Sequence, residues 1–273
     1  MIPDSRPACL CFGMMGQKMS NAFERHGIGH LSYSAVEMSA TDPAAYIMRY
    51  PLGIKGSTNA NMARGNAVEH AIEVALMDEF GDIEDAIDAG VKQFNRETAL
   101  VVAKEDRDKE RVNIEGYIRQ GVEAMSKYGI PSSTQNKIVL ELPDCPVPII
   151  GFDDFQFDDG NVKHSVDLKT TKQCPSAIRD SHRRQGAIYA TALPEHQIKF
   201  CYVTPKKHAI YEVTHVEAKE LMQDFVKRVK ALEKFLSISD DAMELASFFA
   251  PTYSSFYWND PVMRSEAKRI FGV

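Results

Sequence analysis

The stretch of sequence that decides the fold is residues 148–170, which read PIIGFDDFQFDDGNVKHSVDLKT. Two segments rich in β-branched and aromatic residues flank the tetrapeptide DDGN at 158–161, and such segments favour strands. An Asp-Gly pair between two strands is typical of a hairpin turn. The pattern therefore predicts an antiparallel hairpin formed by residues 148–157 and 162–169.

The turn also predicts the register of the two strands. With residues 159–160 as a two-residue turn, Phe157 pairs with Val162 and Asp154 pairs with Ser165. A four-residue loop around the same centre would give the same pairing. The register therefore decides which side chains of the two strands share a face.

Two carboxylates and an ammonium group are expected on one face of the hairpin. Side chains alternate along a strand, so Asp167 and Lys169 share a face, and Asp154 joins them as the diagonal neighbour of Asp167. Asp153 is expected on the opposite face, which is mostly apolar and carries Val162, Val166 and Leu168. Nearby carboxylates repel unless a cation lies between them, and Mg²⁺ or Mn²⁺ prefers oxygen ligands. The hairpin alone allows either a metal site or an exposed pair of alternating charges.

A third acidic ligand is predicted on a helix over residues 62–80. On a helical wheel, Glu69 lies at the margin of the apolar stripe, whereas His70 and Glu73 project further toward the opposite side. Glu69 can therefore reach a site at the edge of the core. A solvated glutamate on a surface helix would give the same pattern.

The rest of the chain predicts helices around a sheet. A capping-box pair, Ser34 and Glu37, predicts the start of a helix over 34–49. Periodicity predicts further elements: two helices between 84 and 128, strands over 138–142, 198–204 and 208–214, and helices over 176–193 and 217–236. This order predicts an α/β fold with a central mixed β-sheet, flanking helices and a helical N-terminal half.

Composition limits the classes of function. The chain has a net charge of −6, which argues against a protein that coats nucleic acid non-specifically, so any positive surface must be local. Basic residues cluster at Lys169 and Lys172, at Arg179 to Arg184, and at Lys206 and Lys207. No run approaches the roughly 18 apolar residues of a spanning helix, so a membrane protein is not expected.

The cysteines indicate a reducing compartment. The five are Cys9, Cys11, Cys145, Cys174 and Cys201, and they contain no C-x-x-C spacing. An odd and scattered set argues against a disulfide framework and against a zinc module. We therefore expect reduced thiols in a cytoplasmic protein.

Four short motifs occur in an order that resembles a known nuclease family. They are Gly65-x-x-x-Glu69, Gly151-Phe-Asp-Asp154, Asp167-Leu-Lys169 and Gln185-x-x-x-Tyr189. Together they resemble the RecB-like branch of the PD-(D/E)XK nuclease superfamily, which has a restriction-endonuclease-like core. Residues 31–34 with 42–43 resemble the start of that branch, and residues 254–261 resemble the ends of phage-type members. The resemblance extends over 31–273 as one nuclease domain and leaves 1–30 as an extension of unknown role.

The resemblance implies hydrolysis of phosphodiester bonds in DNA, by an exonuclease of recombination, repair or phage DNA processing. Glu69, Asp154 and Asp167, with the backbone carbonyl of Leu168, would hold one or two Mg²⁺ or Mn²⁺ ions. Lys169 would orient or deprotonate the attacking water and offset charge in the transition state.

The resemblance also implies which residues contact the substrate. Gln185 and Tyr189 would position the strand, with Lys172 and either Arg183 or Arg184 at the phosphates. The implied partner is DNA, as single strands or duplex ends, with no membrane partner. Polarity, oligomeric state and the choice between DNA and RNA stay open.

Relatives of this kind differ from the chain at two places. Many carry His where Glu69 stands, and several hold an iron–sulfur cluster through a Cys before the early proline and further cysteines near the C-terminus. Here Asp42 precedes Pro43, and no cysteine follows Cys201. We therefore expect no iron–sulfur cluster.

Two other functions are compatible with the sequence. One is a structure- or sequence-specific endonuclease on the same fold. The other is a non-catalytic DNA-binding subunit with a vestigial site. The complete Asp-Leu-Lys triplet at 167–169 favours an active enzyme over the second alternative.

Overall fold

The computed structural model describes residues 21–77, 82–100 and 102–272. The helices are α1 (Ala22–Arg25), α2 (Tyr33–Thr41), α3 (Pro43–Arg49), α4 (Ala60–Leu76), α5 (Ile83–Thr98), α6 (Lys104–Arg111), α7 (Ile114–Met125), α8 (Asp180–Ala192), α9 (His215–Leu236), α10 (Ala242–Ala246) and α11 (Pro261–Phe271). The strands are β1 (Ser133–Leu140), β2 (Ile149–Asp158), β3 (Lys163–Thr170), β4 (His196–Val203) and β5 (His208–Val213). The end of the helix expected over 62–80 lies outside the described residues, as do Cys9 and Cys11.

A five-stranded sheet forms the centre of the fold, with the strands in the order β1-β2-β3-β4-β5. The β3–β4 pair is parallel, and the other neighbouring pairs are antiparallel. Helix α8 connects the two parallel strands, since a parallel pair needs a crossover connection. The predicted mixed sheet with flanking helices is confirmed.

Helices cover both faces of the sheet and form two cores. The first core, on the α8 side, joins the sheet to α2, α3, α8 and α9 through residues such as Ile188, Phe200 and Phe225. The second core, on the α4 side, joins it to α4, α5 and α7 through residues such as Ile72 and Phe155. Among the described residues, no helix is both long enough and apolar enough to cross a membrane.

The helix predicted over 34–49 is in fact two helices. Ser32, rather than Ser34, caps α2, because its hydroxyl accepts a backbone N–H of the first turn at 3.1 Å. Asp42 then ends α2 and caps α3, whose first residue is Pro43. The residue before a proline is disfavoured in the helical conformation, and proline suits the first helical position, so the break follows from local chemistry.

Three helices, rather than the predicted two, occupy residues 83–125. The charged run Lys104–Arg111, expected near a junction, is itself helix α6. Its Glu110 is buried and pairs with the buried Arg64 of α4. An ion pair that local sequence does not reveal therefore connects this charged helix to α4.

The N-terminal and C-terminal motifs of the family resemblance contact each other in the fold. The indole N–H of Trp258 donates to Asp42 Oδ2 at 2.8 Å, and both residues are buried. Because Asp42 also caps α3, this bond ties the C-terminal segment to the first helices. These two signatures therefore have a structural role.

The β2–β3 register differs from the prediction by two residues. The structure pairs Phe157 with His164, whereas the predicted partner was Val162. A shift of two residues keeps every side chain on its face, because the side-chain repeat of a strand is also two. The shared face of Asp167 and Lys169 is therefore unaffected by the error.

The turn explains the shift. The connection contains four residues, 159–162, and Asp159 Oδ1 accepts the backbone N–H groups of Asn161 at 2.9 Å and Val162 at 2.7 Å. Gly160 has a φ of +85°, which glycine adopts without steric cost. The aspartate side chain replaces the bonds of a tight turn, so Asp158 pairs with Lys163, two residues later than the partner in the predicted register.

Candidate active site

The site forms where strands β2 and β3 stop pairing. Their last pair toward the site is Phe155 with Val166. Beyond it, Asp154 Oδ2 accepts the backbone N–H of Leu168 at 2.7 Å, and the Tyr189 hydroxyl donates to the carbonyl of Phe152 at 2.6 Å. Side chains thus satisfy backbone groups that a continuous ladder would have used, and the strands can separate.

A break in β1 accompanies this opening. Gln135 has a φ of 49°, which is rare for a residue other than glycine. The β1–β2 pairing passes from Thr134–Phe155 directly to Asn136–Asp153, so Gln135 and Asp154 are the unpaired residues between them. Ile149 belongs to the core on the α8 side and Phe155 to the core on the α4 side, although strict alternation would place both on one face, so the alternation of β2 is interrupted between them.

The interruption changes the position of Asp153. Its side chain is fully buried, and its Oδ2 accepts a hydrogen bond from Gln156 at 2.8 Å. Its Oδ1 is buried with no hydrogen-bond partner among the described residues. The expectation that Asp153 joins the apolar face of Val166 and Leu168 is wrong, because strict alternation does not hold across Asp154.

Asp167 is held by protein groups on both oxygens. It is 2% exposed, and its Oδ2 accepts from Gln185 Nε2 at 2.9 Å, while the Tyr189 hydroxyl oxygen, whose proton goes to Phe152, lies 3.5 Å away. Its Oδ1 contacts the ammonium group of Lys169. The carboxylate orientation is therefore set by α8 on one side and by its own strand on the other.

Gln185 and Tyr189 extend from α8 and bond protein groups behind the Asp167 carboxylate. Gln185 also donates to the Tyr189 hydroxyl at 2.7 Å, and burial raises the pKa of Tyr189, so the phenol stays protonated. Tyr189 is 3% exposed. The expected contact with substrate does not fit such a buried phenol, which instead bonds the β2 backbone.

Glu69 faces the same region from α4. Its carboxylate accepts a hydrogen bond from Gln135, and it lines a cavity of about 460 Å³ together with Lys169. The neighbouring His70 lies 3.9 Å from Glu73 instead, and Glu73 accepts from Thr134. As placed, no three His, Cys, Asp or Glu side chains of the described ranges approach closely enough to share one ion.

The acidic groups of the site disfavour their own ionisation. Burial, with the charges of Asp167 and Glu69, raises the pKa of Asp154 well above its usual value. Burial also raises the pKa of Asp167, although Lys169 opposes the shift. Burial and Asp167 raise the pKa of Glu69 to about 7. A bound cation would relieve this repulsion, and oxygen donors of this kind suit a hard divalent ion.

Lys169 keeps its proton in this setting. Burial opposes its charge, but the carboxylates of Asp167, Asp154 and Glu69 raise its pKa above the usual value. The same ammonium, together with burial, lowers the pKa of His182 to about 3. The site therefore contains the half-buried ammonium of Lys169 beside a neutral imidazole.

The arginines predicted at the phosphates are engaged elsewhere. Arg184 forms two hydrogen bonds with Glu37, at 2.7 and 3.2 Å, and ties α8 to α2. Arg183 pairs with Glu217 of α9. Both pairs join helices, and the contact of either guanidinium with phosphate stays a prediction. Lys172 remains 66% exposed in its side chain.

Sequence reasoning missed two basic residues beside the site. Arg179 lines the same cavity as Glu69 and Lys169, although the sequence placed it only in a basic cluster. Arg64 is buried beside Thr170, whose carbonyl accepts from it at 3.3 Å. The available signal for Arg64 was an arginine one turn before the apolar Val68 on the buried stripe of its helix.

The raised pKa of Asp154 predicts that its neutralisation stabilises the metal-free protein. A buried carboxyl with a raised pKa binds its proton more tightly in the folded state, so its contribution to stability declines as pH rises through the raised pKa. In EDTA at pH 8, Asp154→Asn should increase the free energy of unfolding by about 1–2 kcal/mol. Urea unfolding measures this free energy, and the difference in free energy of unfolding between variant and wild type should shrink as pH falls. A variant less stable than wild type at pH 8 would contradict the pKa assignment.

Comparisons with known proteins relate the chain to a nuclease family. The family model of the PD-(D/E)XK nuclease superfamily matches residues 30–254. No curated protein matches the chain. Among solved structures, the chain is similar to a "Putative exonuclease" from Eubacterium rectale, with a TM-score of 0.52, 14% identity, and coverage of 81% of this chain and 87% of that chain. At this identity the likeness shows the fold alone.

A second solved structure, of the protein SSO0001, is 16% identical over 63% of this chain and 76% of that chain. Its TM-score is 0.32, so it carries no argument about this fold.

Proposed function

The chain belongs to the PD-(D/E)XK nuclease superfamily, and on that premise we propose that it is a Mg²⁺- or Mn²⁺-dependent deoxyribonuclease that degrades DNA from its ends. Membership of the superfamily makes the chain an enzyme that hydrolyses nucleic acid. The observation that carries the finer proposal is the convergence of Asp154, Asp167 and Lys169 where β2 and β3 separate. The structural neighbour described as an exonuclease supports action at ends.

Three carboxylates would hold the metal. Nucleases of this superfamily generally use divalent ions. Asp154 and Asp167 would supply the central oxygens, Glu69 would supply a third from α4, and the carbonyl of Leu168 would complete the set. The bound ion would polarise the scissile phosphate and lower the pKa of the attacking water.

Lys169 acts as a cation in this proposal. Because its neighbours raise its pKa, it stays protonated and is poorly suited to remove a proton. Its ammonium instead orients the water and offsets the negative charge that develops on the phosphate. The family resemblance implies that Lys169 either orients or deprotonates the water, and this proposal keeps only the first of these roles.

Gln185 and Tyr189 are positioning residues. Gln185 bonds Asp167 directly, and Tyr189 bonds both Gln185 and the β2 backbone. They hold the Asp167 carboxylate against rotation, which keeps its oxygens aimed at the site. A carboxylate fixed in this way keeps one orientation toward the site.

The test compares linear with covalently closed circular DNA. An end-dependent enzyme degrades end-labelled linear single- and double-stranded DNA in Mg²⁺ or Mn²⁺ and leaves both circular forms intact. EDTA should stop the reaction. Efficient cutting of the circles would identify an endonuclease, and undiminished activity in EDTA would exclude the metal mechanism. A preparation of the Lys169→Ala variant controls for a contaminating nuclease.

A further inference from the structure

A second cavity lies beside the one that contains Glu69 and Lys169. It has a volume of about 540 Å³ and is lined by Arg64, Thr170, Thr171, Lys172, Gln173 and Arg179. Thr170, Thr171 and Arg179 line both cavities. The two spaces are therefore neighbours, and Arg179 stands at their boundary.

The charge of this second cavity is positive. Arg64, Lys172 and Arg179 contribute three cations, and the buried Glu110 contributes one anion, so the local sum is about +2. Glu110 contacts Arg64 and lies 3.8 Å from Lys172. The whole chain has a net charge of −6. A positive cavity beside an acidic centre is thus a local feature, which general composition does not explain.

Unused donors line the same cavity. The Arg64 side chain is 5% exposed, and its Nε is buried with no hydrogen-bond partner among the described residues. Arg179 is exposed, and within the described ranges its side chain takes part in no hydrogen bond or ion pair, although its backbone N–H bonds Tyr202. Arg179 is also the N-cap of α8, a helix of 13 residues that has no side-chain cap. An unpaired guanidinium at a helix N-terminus, beside a second arginine that its neighbours hold in place, suits an oxyanion.

We propose that this cavity binds a phosphate group of the nucleic-acid strand next to the scissile phosphate, with Arg179 and Lys172 as its principal contacts. The inference rests on the proposed function, because it takes the substrate to be a nucleic-acid strand. Arg64 forms the buried floor of the site, where Glu110 and Thr170 hold it. The phosphate can be a terminal monoester or an internal diester, which share the same oxygens.

Binding by charge-neutralised variants tests the proposal without turnover. Fluorescence anisotropy in EDTA gives the Kd of a labelled oligonucleotide for wild type, Arg179→Gln and Lys172→Gln. Each variant should bind about tenfold more weakly, since each loses one charged contact to phosphate. The slope of log Kd against log salt should fall by about 0.7 to 0.9 per lost contact. Arg269→Gln is the matched control, because Arg269 is an exposed helical arginine paired with Glu266 of its own helix.

Three oligonucleotides distinguish the source of the phosphate: one with a 5′-phosphate, one with a 3′-phosphate and one with hydroxyl ends. An effect confined to a phosphorylated end identifies a terminal monoester, and an equal effect on all three identifies an internal diester. Equal Kd values for Arg179→Gln, Lys172→Gln and Arg269→Gln would overturn the inference. If binding depends on Arg179 but no DNA is hydrolysed, the proposed function fails while this inference stands.

Discussion

Lys169→Ala is expected to lower kcat by about three orders of magnitude, with Mn²⁺ bound at least as tightly as in wild type. The ammonium contacts Asp167 Oδ1 and is not a ligand. Its removal takes away the positive charge that would stabilise the transition state. It also removes a competitor for the carboxylates, so metal affinity does not fall.

Calorimetric titration with Mn²⁺, combined with kcat on linear DNA, measures the two effects separately. Asp167→Ala should lose both activity and metal binding. Lys163→Ala is the matched control, because Lys163 lies on the same strand, pairs with Glu195, and has a side chain that is 43% exposed against 24% for Lys169. Equal loss of Mn²⁺ binding in Lys169→Ala and Asp167→Ala would contradict the assigned roles.

Asp154→Asn is expected to lower kcat by about three orders of magnitude even at saturating Mg²⁺, whereas Asp153→Asn should keep a substantial fraction of activity. The asparagine at 154 can still accept the Leu168 N–H but lacks the charge of a metal ligand. Asp153 bonds Gln156 instead, and an asparagine oxygen can accept the same bond.

Kinetics on linear DNA at several Mg²⁺ concentrations, with circular dichroism of both variants, checks this contrast. The two variants are chemically identical changes at adjacent positions, so each serves as the control for the other. The reverse ranking, with both proteins folded, would show that Asp153 is the ligand.

Local sequence determined much of the fold and part of the site. The β-rich segments around residues 158–161 and the helical periodicity elsewhere predicted the mixed sheet. The shared face of Asp167 and Lys169 depends only on the two-residue repeat of one strand, so it survived an error in register. The position of Glu69 at the edge of an apolar stripe could likewise be predicted, because it depends only on the repeat of one helix. Pro43 is a local indication that a helix ends at Asp42. The capping-box pair at Ser34 and Glu37 instead favoured one continuous helix over 34–49.

Only tertiary structure decided the contacts between elements. Gln135 and Asp154 are unpaired between β1 and β2, close to the point where β2 and β3 stop pairing. Beside this interruption, Asp153 accepts a hydrogen bond from Gln156. The partners of Arg183, Arg184 and Arg64 lie on other helices, at sequence separations of 34, 147 and 46 residues. Charge neutralisation depends on distance in space, whereas sequence patterns report periodicity along one element. The sequence by itself could therefore place Asp167 and Lys169 on one face, but not show which arginines pair with carboxylates of other helices.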